Sequence, residues 1–171
     1  MDFKQWLQEK KASLVATWCD AAVVVPAGTG PDFLEKQRAL VLDAMGYDLE
    51  QGMGGLFEGL LQGLISHDVS RFLDCMIRIR AASDFTASHA VTFILEIKKV
   101  VRKELGDDAL YDLQLRAELS AWDSVVDDLV LFAFNIYVQC RESVLDARAK
   151  EESQKTLSLL KKAKLIPEDQ E

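Results

Sequence analysis

The run GYDLEQGMGGLFEGLLQG, residues 46–63, constrains this chain more than any other stretch, because its glycines and its apolar residues both recur at helical spacing. Gly52, Gly55, Gly59 and Gly63 step by three, four and four. Met53, Leu56, Leu60 and Leu64 follow on the adjoining stripe, with Phe57 and Leu61 beside them. That pattern predicts an amphipathic helix over residues 49–64 with a second face bare of side chains. Each interior glycine costs roughly 1 kcal/mol relative to alanine, so the four cost about 3–4 kcal/mol. Close backbone contact with a crossing helix is the expected compensation at Gly52, Gly55, Gly59 and Gly63. A flexible loop would also gather glycines, but a solvated loop has no reason to carry periodic leucines, and the run contains no Pro, Ser or Asn. Neither GxGxxG nor GxxxxGK[ST] occurs, so a phosphate cradle is not encoded.

The remaining segments also read as helices. Residues 3–24 place Trp6, Leu7, Leu14, Trp18 and Ala21 at helical spacing and end in VVVPAGTGP, where two prolines and two glycines enforce a break. A second helix is expected over residues 32–45, with Gly46 as its C-cap. Asp68 or Ser70 can cap a helix carrying Val69, Phe72, Leu73, Met76 and Ile79, which Ser83-Asp84 interrupts. Thr86 or Ser88 can start another, running to Gly106. No Pro or Gly falls between residues 107 and 166, so this last segment is one long helix or two. Trp122, Val126, Leu129, Ala133, Ile136 and Cys140 alternate steps of four and three within it, and Val125, Phe132 and Phe134 are expected to widen the buried stripe. Past Val144 apolar residues thin to Leu145, Leu157, Leu159, Leu160 and Leu165 among charges. This part either projects as a partner helix or is a disordered tail.

At 171 residues and net charge −8 the chain fits one domain and makes a poor phosphate binder, so nucleic acid is not an expected partner. The charge is uneven. Residues 106–130 hold seven acids against Arg116 alone, whereas residues 148–164 hold six bases against Glu151 and Glu152. Cys19, Cys75 and Cys140 are odd in number and widely spaced, which argues for small core residues rather than a disulfide or CxxC framework. The start MDFKQWLQEKK lacks a secretory pattern, and the longest apolar stretch, residues 129–134, is too short to span a bilayer. A cytoplasmic protein with no membrane span is expected.

Catalytic sets are poorly supplied. The two histidines, His67 and His89, cannot furnish a three-histidine site, and neither has a glutamate three residues before it, as a di-iron bundle requires. Both read as surface or capping residues rather than haem ligands. Asp123 and Asp127 lie four apart as paired carboxylates would, yet Glu118 and Asp128 around them favour a solvated face. No catalytic residue, cofactor or metal ligand set is read, and an enzyme is not expected.

The runs LEQGMGGLFEGLLQG, FLDCMIRIRAASDFTASHAVTFILEIKKVVRKEL and AWDSVVDDLVLFAFNIYVQCRESVLDARAKE together resemble the N-terminal domain of RsbRD-type proteins, the co-antagonists of the kinase RsbT. The most specific piece spans residues 77–93, followed by the spacing to the Asp-rich helix and its aromatic end at Phe132, Phe134 and Tyr137. The resemblance implies an all-α, single-domain, globin-like helical bundle without haem, usually dimeric, whose long C-terminal helix passes a signal onward. In that family the following domain is a STAS module bearing the phosphorylated threonines. This chain stops at Glu171, about where such a module would begin, so a stand-alone domain is expected.

Two functions follow from this reading. One is a non-enzymatic sensor or regulatory domain in stress signalling, residues 1–147 with a charged extension over 148–171. It would act as a homodimer and repack its helices on binding a small ligand or a protein partner. Its expected pocket residues are Trp122, Val126, Leu129, Phe132 and Ile136, and its expected dimer or partner helix carries Leu145, Leu157 and Leu160. The other is an accessory or assembly protein that docks onto a larger complex, redox complexes included, through the acidic face or the basic tail.

Overall fold

The computed structural model describes residues 2–22, 32–63, 66–83, 85–106 and 111–163. Seven helices occur among them: α1 Phe3–Glu9, α2 Lys11–Ala22, α3 Asp32–Met45, α4 Leu49–Gln62, α5 His67–Ala82, α6 Ala87–Leu105 and α7 Leu113–Lys162. The fold is an all-α bundle with a long C-terminal helix. Helix α7 packs against α5 and α6 along its first half and touches α1 and α4, while α2 lies across α4 and α6 and α3 flanks α5. The expected break over 23–31 and the terminal residues 164–171 lie outside the described residues, as do Leu64, Asp84, Asp107 and Asp108.

Capping chemistry sets most of the helix ends. Asp48 accepts from the Gln51 backbone at 2.9 Å while the Gln51 side chain accepts the Asp48 N–H at 3.4 Å, a reciprocal box that starts α4. Thr86 Oγ1 starts α6 by accepting from His89 N–H at 3.4 Å. Gly46 and Gly106, at φ +75° and +72°, end α3 and α6, since a left-handed turn costs glycine least. For α5 the cap is Ser66, which accepts from Val69 N–H at 3.3 Å, rather than Asp68 or Ser70. The helix expected over 3–24 is two, interrupted at Lys10. That interruption aims α1 at α7, where Phe3 meets Trp122 edge-on at 6.1 Å, and leaves α2 free to pack on α4 and α6.

The glycine run is helical, but its glycines do not form one crossing stripe. A Cβ at Gly52 would overlap the ring of Phe72, which is 1 % exposed on α5. Gly54 and Gly55 have nothing within 4 Å of that position. Gly63 lies beyond the helix as its C-cap at φ +64°, closing a bond to Gly59 O, and Gly59 is half-buried. Close approach is therefore needed at Gly52, where α4 meets α5. Gly52→Ala should destabilise the fold by about 1–3 kcal/mol through overpacking. Gly55→Ala should stabilise it by about 0.5–1 kcal/mol, because the glycine entropy cost disappears with nothing to clash. Urea denaturation of the two variants checks the opposite signs.

Candidate functional site

Helix α7 has 50 residues, about 75 Å of helix. Leu115, Leu119, Trp122, Val126, Leu129, Ala133, Ile136, Tyr137 and Cys140 are its buried residues, so its inner face ends at Cys140. Polar contacts fix its register. Lys98 Nζ donates to Asp127 at 2.6 Å and Arg102 pairs with Asp123, four residues apart on each helix and in opposite order, which sets α6 and α7 antiparallel. The two acids expected on a solvated face are thus tied to α6. Tyr137 donates its hydroxyl to Phe85 O at 2.6 Å, and Arg141 donates to Ala81 O at 3.3 Å. Glu118 accepts the Phe3 N–H at 3.1 Å, bringing α1 to the start of α7.

Two concavities border this helix. A groove of about 770 Å³ runs between α3, α5 and α7, with Leu40, Met45, Ile79, Phe132 and Ile136 supplying apolar wall and Arg71, Asp74 and Gln139 polar wall. A cavity of about 490 Å³ lies between α1, the end of α4 and α7, walled by Phe3, Leu7, Leu60, Glu118, Trp122 and Val125. Both have the mostly apolar lining and the size of small-molecule sites. The five expected pocket residues do not share one of them. Trp122 lines the cavity, and its indole N–H has no hydrogen-bond partner. Phe132 and Ile136 line the groove, while Val126 and Leu129, 0 % and 2 % exposed, belong to the packed interior. Phe132 and Phe134 are 38 % and 43 % exposed and so do not widen the buried stripe, because the bundle covers only one side of α7.

Beyond Val144 the helix leaves the globule. Every residue from 145 to 159 is exposed, including Leu145, Leu157 and Leu159, and Leu160 is half-buried. The segment is helical to Lys162.

His67 and His89 are both exposed, at the first residue and in the first turn of their helices. Among the described residues no group of three His, Cys, Asp or Glu could hold a metal ion, and no helix is long and apolar enough to cross a membrane. The thiols are free and buried or half-buried. Burial and the carboxylates of Glu50 and Asp20 push Cys19 up to about 11, and burial with Asp74 raises Cys75, which borders the groove. Such thiols are poor nucleophiles at neutral pH.

Reading the sequence missed Arg80, which is buried at 3 % exposure. It falls in phase with Leu73, Met76 and Ile77 on the apolar side of α5, and that phase is the signal that could have found it.

A family model described as the RsbT co-antagonist protein rsbRD N-terminal domain matches residues 13–151. The match starts within α2 and stops inside the projecting part of α7. No curated protein and no solved structure matches.

A folded-state thiol at about 11 keeps its proton where an ordinary thiol at 9 begins to lose it, so folding is favoured below pH 9 and that contribution fades as pH rises through 11. At pH 8.5 Cys19 should be alkylated by iodoacetamide roughly a hundredfold more slowly in the native chain than in urea, the ratio of thiolate fractions. Peptide mass spectrometry of a timed quench measures it.

Proposed function

Because the chain belongs to the RsbT co-antagonist protein rsbRD N-terminal domain family, we propose that it is a non-enzymatic sensor or regulatory domain. It signals through helix repacking and works as a homodimer or with a protein partner. The observation that carries this reading is the division of α7. Its first half supplies the bundle with an apolar seam ending at Cys140, and its second half carries exposed Leu145, Leu157 and Leu159 into solvent. A bare helix of that length, bearing leucines among charges, has the makings of a partner surface, with Leu145, Leu157 and Leu160 as the apolar contacts.

The mechanism is a shift between two packings of α7 against α5 and α6. A small ligand in the groove at Phe132 and Ile136, or in the cavity at Trp122, would bind one packing better than the other. Val126 and Leu129 lie in the seam that would slide, and Lys98–Asp127 and Arg102–Asp123 would exchange partners as it does. The size of the response equals the difference in affinity for the two states, about 1.4 kcal/mol per tenfold.

Docking onto a larger complex, as an accessory or assembly protein, is favoured by the charge on the same extension. Arg148, Lys150, Lys155, Lys161 and Lys162 outnumber Glu151 and Glu152 between residues 148 and 162.

A chain ending at Val144 retains every buried residue of α7, so its melting temperature should stay within a few degrees of the full chain. Its self-association or partner capture should fall at least tenfold by analytical ultracentrifugation and pull-down. Unchanged oligomeric state together with unchanged partner binding would remove the proposed role of the extension.

A further inference from the structure

Among the described residues Arg80 is the only charged side chain in the buried interior. It stands in the last turn of α5, its Cζ 4.5 Å above the ring of Phe93 and 5.6 Å from that of Phe85. Nη2 donates to the carbonyl of Ala22, the last residue of α2, at 3.0 Å, and Nη1 donates to His89 O in the first turn of α6 at 3.4 Å. A guanidinium carries five N–H donors. Two find acceptors here, Nε has none, and none of the ion pairs among the described residues includes Arg80. Burial pushes its pKa down to about 10, which leaves it a cation at neutral pH. Ring faces and carbonyl dipoles lower the cost of burying that charge, but they are not a counter-ion.

Beside Arg80 lies a cavity of about 170 Å³, walled also by Ala22, His89, Thr92, Phe93 and Glu96. It has the volume of about five or six waters at roughly 30 Å³ each, enough for a molecule of a few heavy atoms. The Glu96 carboxylate is paired with Lys99 Nζ at 2.6 Å, and Thr92 Oγ1 is committed to Ser88 O at 2.6 Å. The charge left without a partner at this cavity is that of Arg80. We propose that the cavity binds a short-chain monocarboxylate, whose carboxylate takes the open N–H groups of Arg80 while its hydrocarbon lies against Ala22 and Phe93. Guanidinium and carboxylate match in shape and charge, which permits a charge-assisted, paired set of N–H···O bonds. A dianion is disfavoured by Glu96 in the same wall.

Binding there would join the end of α2, the end of α5 and the start of α6, the helix whose Lys98 and Arg102 hold α7. The consequence for signalling rests on the sensor reading given above; the binding itself does not.

The test is the arginine Nε–Hε spectrum of the full ¹⁵N-labelled chain, titrated at constant ionic strength with sodium acetate, propionate, nitrate and phosphate. One resonance, missing in Arg80→Lys, should shift saturably, with propionate binding about tenfold more tightly than phosphate. Glu96→Gln should narrow that preference several-fold. Ala21→Leu, which fills the cavity without touching a contact of Arg80, should abolish the shift and serves if Arg80→Lys does not fold. No saturable shift with any of the four salts, or a shift that survives Ala21→Leu, would overturn the proposal. Nitrate binding as tightly as propionate would contradict the carboxylate assignment. If propionate binds at Arg80 while the oligomeric state ignores it, the site stands and its signalling role falls.

Discussion

Burial of one side of α7 is the constraint on which the rest of the structure depends. From Leu115 to Cys140 its apolar residues face α5 and α6, with α1 and α4 closing the near end. At about 25 cal/mol per Å² of apolar surface removed from water, a stripe of nine buried side chains outweighs any single polar contact in the bundle. The polar contacts do different work. Two antiparallel ion pairs to α6 and the Tyr137 hydroxyl on Phe85 O set where along its own axis the helix stops. Apolar packing alone is forgiving of a one-turn slide, whereas paired charges and a buried hydrogen bond are not. A helix with a strong seam and a register fixed by a few surface pairs is suited to two discrete positions.

The interior joins elements far apart in sequence by the same economy of polar contacts. The Trp18 indole on α2 donates to Phe93 O on α6 at 2.6 Å, between residues both at most 2 % exposed. Gln37 donates to Met76 Sδ at 3.4 Å, a weak acceptor for a buried amide. Arg80 gathers the ends of three helices on one guanidinium. Arg80 lies close to where α7 leaves the bundle, since Ala81 accepts from Arg141 and Phe85, whose ring is 5.6 Å from the guanidinium, accepts from the Tyr137 hydroxyl. A change at Arg80 reaches α7 through α5 as well as through α6, because both helices pack on α7.

Much of this was legible in the sequence. The stripe from Trp122 to Cys140 follows from spacing alone, because a helix half-buried in a bundle must repeat at three and four, and all six of its residues are buried. Helix α3 was equally plain, and the start of α6 was narrowed to Thr86 or Ser88, since glycine and hydroxyl caps leave strong local signals. What was missed depends on tertiary partners. The interruption at Lys10 has no Gly or Pro to announce it and exists because α1 and α2 pack on different neighbours. Four glycines at helical spacing look alike in sequence, and only the position of the Phe72 ring distinguishes Gly52. Phe132 shares the pattern of a core residue but faces a groove that α3 and α5 leave open. Of the candidate site, the residues were visible and their partition between groove, cavity and seam was not.

Hydrogen exchange resolved along α7 at several protein concentrations tests most directly whether one helix serves both as core and as outward surface. Amides over 115–140 should exchange only with global unfolding at every concentration. Amides over 148–162 should exchange rapidly in dilute protein and become protected as chains associate or a partner is added. Equal protection of both segments in dilute monomer, or rapid exchange of both, would contradict the division of α7 on which the account rests.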